Sequence, residues 1–156
     1  MAVEYHNPIV EQRADPYLLK HSDGYYYFMG SVPSYDCIEI RRAKTINELA
    51  GAETAVVWKK HESGIMSEHI WAPEMHYING KWYIYFAAGE KDDIWKIRPY
   101  VLECTGSDPM KDKWVELGMM QRADDDPYSF TDFSLDATVF EHKGKWYYIW
   151  AEKVGG

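Results

Sequence analysis

One plan of sequence occurs three times in this chain, and that repetition limits what the chain can fold into. Each copy has a short strand, a tight turn that ends in glycine, and a second strand rich in tyrosine and tryptophan. The copies occupy residues 15–28, 72–86 and 136–150. Their turn glycines, Gly24, Gly80 and Gly144, are 56 and 64 residues apart. That spacing is too wide for a single hairpin and predicts one four-stranded sheet for each repeat.

The segments between the repeats supply the remaining strands. In the first unit, residues 37–42 alternate as a strand should, and residues 55–58 form a short apolar stretch. In the second unit, residues 100–105 and 114–117 play the same two parts. The only helical candidate, residues 45–49, is about one turn long. The sequence therefore predicts an all-β fold of antiparallel four-stranded sheets.

The number of four-stranded units is too small to form a closed ring. Residues 1–156 hold two complete units, beginning near residues 15 and 72, and the opening hairpin of a third near residue 136. Four-stranded units in series are typical of a β-propeller, which closes on itself to hide its sheet edges. About two and a half units cannot close, so we expect a complementary half-chain or a second copy of this chain to complete the ring.

Composition and charge exclude several classes of partner. The net charge of -8 argues against nucleic acid, because binding a phosphate backbone requires a surplus of Lys and Arg. No apolar run reaches the roughly 20 residues that span a bilayer, so no membrane partner is expected. The N-terminus shows no signal peptide, and Cys37 and Cys104 stand alone. These two observations predict a cytoplasmic protein with reduced thiols.

The repeats also bring acidic residues into register. Asp15, Ala72 and Asp136 occupy the same place at the start of the first strand of each copy. In a propeller this strand lines the central funnel, so the two carboxylates would point into one cavity. Burial and mutual repulsion can then separate their pKa values, as glycoside hydrolysis requires. The alternative for Asp15 is a simple turn residue before Pro16.

Three short motifs carry a resemblance to a known family. Arg13-Ala14-Asp15-Pro16-Tyr17, Trp71-Ala72-Pro73-Glu74 and the stretch from Ser134 to Phe140 resemble glycoside hydrolase family 43, in the order and at the spacing of the repeats. That family contains α-L-arabinofuranosidases, β-xylosidases and arabinanases. The resemblance implies that the chain is the N-terminal part of a five-bladed propeller catalytic domain and that the reaction inverts the anomeric centre.

The resemblance also implies roles for particular residues. Asp15 would be the general base that activates water, and Asp136 would tune the acid and orient the sugar. Trp71 resembles the family's sugar-facing tryptophan, with packing between sheets as the alternative. Glu74 and His69 are further candidates for substrate binding, although a structural histidine is the simpler interpretation of His69. The family's general acid is a glutamate on a later blade, and no such motif occurs here.

These points lead to one hypothesis and two alternatives. The hypothesis is an inverting glycosidase that removes terminal arabinofuranosyl or xylosyl units from plant oligosaccharides, with arabinofuranose favoured and the general acid supplied from outside this chain. One alternative is a catalytically inactive carbohydrate-binding or assembly module. The other is a fragment that acts only with its complementary half. No cofactor and no metal are expected, and Asp124-Asp125-Asp126 matches no calcium loop.

Overall fold

Ten strands, all paired antiparallel, form three sheets in the computed structural model, which describes residues 3–153. The first sheet has the order β1-β2-β3-β4, with β1 at Ala14–Lys20, β2 at Tyr26–Ser31, β3 at Cys37–Ala43 and β4 at Glu53–Lys59. The second sheet has the order β5-β6-β7-β8, with β5 at Glu68–Ile78, β6 at Lys81–Glu90, β7 at Asp93–Cys104 and β8 at Trp114–Met119. The third sheet pairs β9, Ser134–His142, with β10, Lys145–Glu152. The all-β prediction is confirmed.

Two of the three predicted turns have the backbone that two-residue hairpins need, whereas the first joins Lys20 to Tyr26 through five residues, with Gly24 at a φ of 83°. Asn79 and Gly80 have φ values of 49° and 84°, and Lys143 and Gly144 have 51° and 74°. Two consecutive positive φ values are the requirement of a type I′ turn, whose twist matches that of the strands it joins. The helical candidate is a 3-10 turn at Asn47–Gly51. Within residues 3–153, no helical structure has the length and apolar character needed to span a bilayer.

The first two sheets share one core. Residues buried at 3% exposure or less come from both of them, namely Tyr27, Met29, Ile38 and Ile40 from the first and Met75, Trp82, Ile84, Phe86 and Leu102 from the second. The alternation of strand side chains directs these residues to the shared face. Each fully buried aliphatic side chain contributes about 1.5–3 kcal/mol through its removal from water. This packing holds β1 beside β5 and so fixes the relative positions of the first strands of both sheets.

The third sheet packs differently along its two faces. Its strand β9 contacts β5, β6 and β7 of the second sheet. Its other face exposes Phe140 at 44%, Tyr147 at 41% and Ile149 at 52%, and Trp146, on the opposite face near the turn, is 42% exposed. The sequence pattern predicts that Trp146 and Tyr147 pack in a core, and within the described residues that prediction is wrong. The alternation of residues predicts two faces but does not say which of them is covered.

A polar contact joins the outer strands of the first two sheets. Glu116 in β8 accepts hydrogen bonds at Oε1 from Trp58 Nε1 at 2.7 Å, and His61 Nε2 lies 2.8 Å from the same oxygen. These bonds hold the pKa of the Glu116 carboxyl below its ordinary value, against an opposing effect of burial. The contact therefore ties β4 and the segment after it to β8.

Replacing Glu116 with alanine should loosen this contact without touching the core. Because the pair is partly exposed, we expect a modest loss of about 1 kcal/mol in the free energy of unfolding. For a chain of this length, that loss lowers Tm by about 3 °C in thermal unfolding followed by circular dichroism. The exposed Glu53→Ala serves as the control. Equal melting temperatures for Glu116→Ala and the unmodified chain would contradict the prediction.

Candidate active site

The first strand of each sheet carries a β-bulge at the same place. In all three, two residues of the first strand face one of its partner: between Ala14↔Ser31 and Tyr17↔Met29 in β1, between Trp71↔Ala87 and Glu74↔Tyr85 in β5, and between Leu135↔Ala151 and Thr138↔Ile149 in β9. A bulge bends its strand and re-aims the side chain of the extra residue. The repeat seen in the sequence therefore extends to a shared local geometry.

The residue that opens each bulge has a left-handed backbone. Asp15, Ala72 and Asp136 have φ values of 51°, 46° and 52°. Non-glycine residues rarely adopt this conformation, which costs on the order of 1–3 kcal/mol, and aspartate and asparagine tolerate it better than most. The structure thus places Asp15 and Asp136 at equivalent points, as the sequence predicts, with Ala72 at the third.

A buried hydrogen-bond relay joins the first two of these positions. Ser31, at the end of β2, donates from Oγ to Asp15 Oδ2 at 3.0 Å and accepts the Ala72 backbone N–H at 2.8 Å. Ser31 is 2% exposed. Sequence reasoning missed this residue, although the strand pairing offers a signal, because Ser31 faces Ala14 directly before the bulge.

The two aspartates lie close enough for their charges to interact. Partial burial, the charge of Asp15 and the charge of Glu74 all raise the pKa of the Asp136 carboxyl. Asp136 as a whole residue is exposed, so solvent weakens these effects. The structure therefore brings Asp15, Asp136 and Glu74 into one acidic group, to which the first, second and third sheets each contribute one residue.

Glu74 also belongs to a hydrogen-bonded chain between the first two sheets. Its Oε2 lies 3.0 Å from His76 Nε2, and Tyr17 Oη lies 3.4 Å from His76 Nδ1. His76 is 8% exposed and lies within β5, near the Asn79-Gly80 turn. Burial, with a smaller effect of the Glu74 charge, raises the pKa of Tyr17 to about 12. Both ring nitrogens of His76 are occupied, so the histidine holds Glu74 in place.

Four aromatic rings form a rim around the first residues of β5, the strand that also carries Glu74. His69 stacks on Trp71 with ring centroids 4.4 Å apart, and Trp95 lies 5.3 Å from His69. Tyr35 meets Trp71 edge-on at 5.9 Å. Trp71 and His69 are half-buried, whereas Trp95 is 62% exposed. Sequence reasoning proposed Trp71 and His69 but missed Tyr35, which lies between β2 and β3, and Trp95, which lies in the first half of β7.

An open depression borders Asp15. It has a volume of about 510 Å³ and is lined by Gln12, Arg13, Ala14, Ser31, Pro33 and Tyr35. Ser31 and Tyr35 thus connect the relay to the aromatic rim through one surface. A more enclosed cavity of about 320 Å³ lies on the other side of β1, but its walls are mainly apolar. Of these two, only the open depression is lined by a residue that bonds Asp15, namely Ser31.

Glu152 is unsuited to donate a proton. Its carboxylate accepts hydrogen bonds from the backbone N–H groups of Phe130, Thr131 and Asp132 at 2.9, 2.8 and 3.1 Å, and from Trp150 Nε1 at 2.8 Å. Although burial acts in the opposite direction, these bonds lower the pKa of Glu152 to about 2. At neutral pH the group is ionised and its oxygens are occupied. It closes the loop before β9.

No metal centre is apparent among these side chains. In the part of the chain from residue 3 to residue 153, no group of three or more His, Cys, Asp or Glu side chains is arranged to hold a metal ion. Asp126 caps its own turn through the backbone N–H groups of Tyr128 and Ser129.

Comparison with known proteins places these features in a family. Residues 5–156 match the family described as Glycosyl hydrolases family 43. The chain is 49% identical over 152 residues to an extracellular exo-α-(1→5)-L-arabinofuranosidase of Streptomyces avermitilis, covering 97% of this chain and 30% of that protein. A protein of the same name from Streptomyces chartreusis is 47% identical, with 97% of this chain and 44% of that protein covered. The chain therefore spans less than half the length of these relatives.

A solved structure gives the same result. The α-L-arabinofuranosidase of Lactobacillus brevis superimposes with a TM-score of 0.86 at 52% identity, over 96% of this chain and 47% of that one. The two structures therefore share one fold over almost the whole of this chain.

The predicted cytoplasmic location is wrong. Two of the similar proteins are named extracellular enzymes. The prediction rested on the N-terminal residues and on two unpaired cysteines, of which Cys104 is buried and Cys37 partly buried. Buried single thiols pack as small apolar groups in any compartment, so they do not indicate where the protein acts.

Proposed function

The chain belongs to glycosyl hydrolases family 43, and from that premise we propose that it forms the N-terminal part of an inverting α-L-arabinofuranosidase. The observation that carries the proposal is the pair of aspartates, Asp15 and Asp136, on equivalent bulges with interacting charges. Paired carboxylates on either side of a glycosidic bond are the chemistry that such hydrolysis needs. The names of the relatives also favour a hydrolase over an inactive binding module.

The proposed mechanism is a single displacement. Asp15 accepts a proton from a water molecule as the water oxygen bonds to the anomeric carbon of the terminal sugar. The bond from that carbon to the leaving oxygen breaks, and an acid outside residues 3–153 protonates that oxygen. Asp136 assists by orienting the sugar and by its charge near the acid. Inversion requires a gap of roughly 6.5–9.5 Å between base and acid, which leaves room for the water.

The aromatic rim has a natural part in this proposal. Sugar rings present apolar C–H faces that stack on aromatic side chains, while hydroxyl groups seek carboxylates and amides. Trp71, supported by His69, would form the wall against which the terminal sugar lies. Glu74 would bond its hydroxyl groups from the side of the acidic group. The substrate class is an oligosaccharide that ends in arabinofuranose, with xylose as the next choice.

The fold within the whole protein is part of the proposal. Residues 1–156 would form about two and a half blades of a five-bladed propeller, with blades that begin near residues 15, 72 and 136 and the third incomplete. The exposed apolar face of β9 and β10 supports this arrangement, because such a face requires a cover. A complementary portion of the protein, or a second copy, would supply it. The names of the relatives support action outside the cell.

Hydrolysis of two aryl glycosides tests the function. We expect release of the aryl group from an α-L-arabinofuranoside at least 10-fold faster than from a β-D-xyloside, since the relatives are named for the former. The assay uses the chain itself and a hybrid in which residues 5–153 replace the matching part of the Lactobacillus brevis enzyme. The hybrid supplies the general acid. Proton NMR of the first product formed distinguishes inversion from retention.

The outcomes separate the alternatives. Turnover by the hybrid but not by the folded chain agrees with an acid supplied from outside. Turnover by the chain alone would place an acid within it or its oligomer and contradict that part of the proposal. A folded hybrid that binds arabinose but hydrolyses neither glycoside would favour the binding module.

A further inference from the structure

Ser31 occupies an unusual place for a serine. It ends β2, pairs with Ala14 at the last regular position before the bulge of β1, and is 2% exposed. A buried hydroxyl needs partners, because an unsatisfied one costs about 1–3 kcal/mol. Both partners of Ser31 belong to left-handed bulge residues, one in the first sheet and one in the second.

The direction of its two hydrogen bonds is fixed by chemistry. The backbone N–H of Ala72 can only donate, so Ser31 Oγ must accept that bond, 2.8 Å long. The single hydroxyl proton is then free for Asp15 Oδ2, 3.0 Å away, and a carboxylate can only accept. Because Ser31 is 2% exposed, its hydroxyl has little contact with water that could compete for these bonds. The relay therefore has one arrangement.

This arrangement gives the two carboxylate oxygens of Asp15 different surroundings. Oδ2 is held by Ser31, and within residues 3–153 no hydrogen bond is made to Oδ1. A general base must present a free oxygen within hydrogen-bond reach of the proton it takes. Because Ser31 fixes Oδ2, it also fixes the direction in which Oδ1 points. A catalytic group displaced by about 1 Å from its productive position can lower the reaction rate about 10²-fold.

We propose that Ser31 is a positioning residue that aims the Asp15 carboxylate and ties it to the bulge of β5. The inference rests on the proposed function, in which Asp15 is the base. Ala72 is the residue next to Trp71, so the same hydroxyl fixes the distance between the base and the aromatic wall for the sugar. Ser31 itself touches no substrate in this scheme.

A second buried serine provides a matched control. Ser67 is 1% exposed, accepts the Lys91 backbone N–H at 2.8 Å and donates to the carbonyl of Gly64. The change of Ser67 to alanine therefore removes one accepted and one donated hydrogen bond, as the change of Ser31 does. Neither bond of Ser67 is made to an aspartate. Ser31→Ala and Ser67→Ala should lower Tm of the chain by similar amounts, about 3–5 °C.

The direct test follows the Asp15 carboxyl carbon by ¹³C NMR at pH 7 in the 156-residue chain. We expect its signal to shift in Ser31→Ala and to stay in place in Ser67→Ala, while Ser31→Thr, which keeps the hydroxyl, stays near the unmodified position. The Ala72 amide should also exchange faster with deuterated solvent in Ser31→Ala only. An unmoved carboxyl signal in folded Ser31→Ala would overturn the proposal.

Kinetics in the hybrid separate positioning from simple stability. We expect Ser31→Ala to lower kcat about 10-fold to 100-fold with KM changed less than about 3-fold, and Ser67→Ala to leave both nearly unchanged. Equal kinetics for the two variants would overturn the role. If Asp15→Asn leaves hydrolysis intact, the proposed function fails instead, and the NMR comparison still decides whether Ser31 holds the carboxylate.

Discussion

Asp15→Asn is expected to lower kcat for aryl α-L-arabinofuranoside hydrolysis in the hybrid roughly 10³-fold, because an amide cannot take the proton of the attacking water. KM should change little, since the side chain keeps its size and place. The substitution should change the stability of the fold little, for two reasons. Asparagine tolerates the left-handed backbone at φ 51°, and its side-chain oxygen can accept the Ser31 hydroxyl. Tm should therefore stay within about 2 °C of the unmodified protein.

The matched control for this variant is Asp124→Asn. Asp124 is an exposed loop aspartate, so the same change of charge there should leave kcat within about 2-fold. A folded Asp15→Asn hybrid with nearly full activity would exclude Asp15 as the base. A loss of activity accompanied by a large fall in Tm would point to damage of the bulge, and binding of arabinose to that variant then tells whether the pocket survives.

Glu152→Gln is expected to destabilise the chain more than any other surface substitution considered above. The carboxylate accepts three consecutive backbone N–H groups and the Trp150 indole N–H. Glutamine offers one acceptor oxygen and replaces charged hydrogen bonds with neutral ones. We expect a loss of about 2 kcal/mol in the free energy of unfolding, or about 6 °C in Tm. The exposed Glu141→Gln on β9 is the control.

The effect of Glu152 should depend on pH in a defined direction. Its pKa is held at about 2 in the folded chain, below its ordinary value of 4.5. A lowered folded pKa stabilises the fold above the unfolded value, and that stability is lost as pH falls toward the folded value. The difference in Tm between the unmodified chain and Glu152→Gln should therefore be full above about pH 5 and shrink toward pH 2. A constant difference over that range would contradict the assignment.

Local sequence rules predicted much of this fold. The glycine of each turn located the hairpins, the alternation of residues located β3, and short apolar stretches located β4 and β8. The extent of β7 was missed, because its first half, from Asp93, is largely polar or exposed and is held by pairing with β6. Pairing with a neighbouring strand leaves little trace in a strand's own residues, so a short stretch of sequence does not reveal it.

The site was only half predictable for a similar reason. A carboxylate at a repeated position stands out, so Asp15 and Asp136 could be identified from sequence. Ser31, Trp95 and Tyr35 sit outside the motif and join the site only through contacts across sheets. The burial of His76 and its hydrogen bond to Glu74 likewise depend on packing, because a position near the Asn79-Gly80 turn does not by itself predict a buried ring. Tertiary packing decided all four.

The left-handed residue at each bulge also has a meaning for the origin of such a chain. If a unit is duplicated, its bulge is duplicated with it. Each new copy then has a side-chain position with the orientation that the bulge imposes, whether or not that side chain takes part in chemistry. Ala72 illustrates this state, because it keeps the strained backbone of Asp15 and Asp136 while bearing only a methyl group. A single substitution at that position then adds or removes a carboxylate, and the backbone of the unit does not have to change.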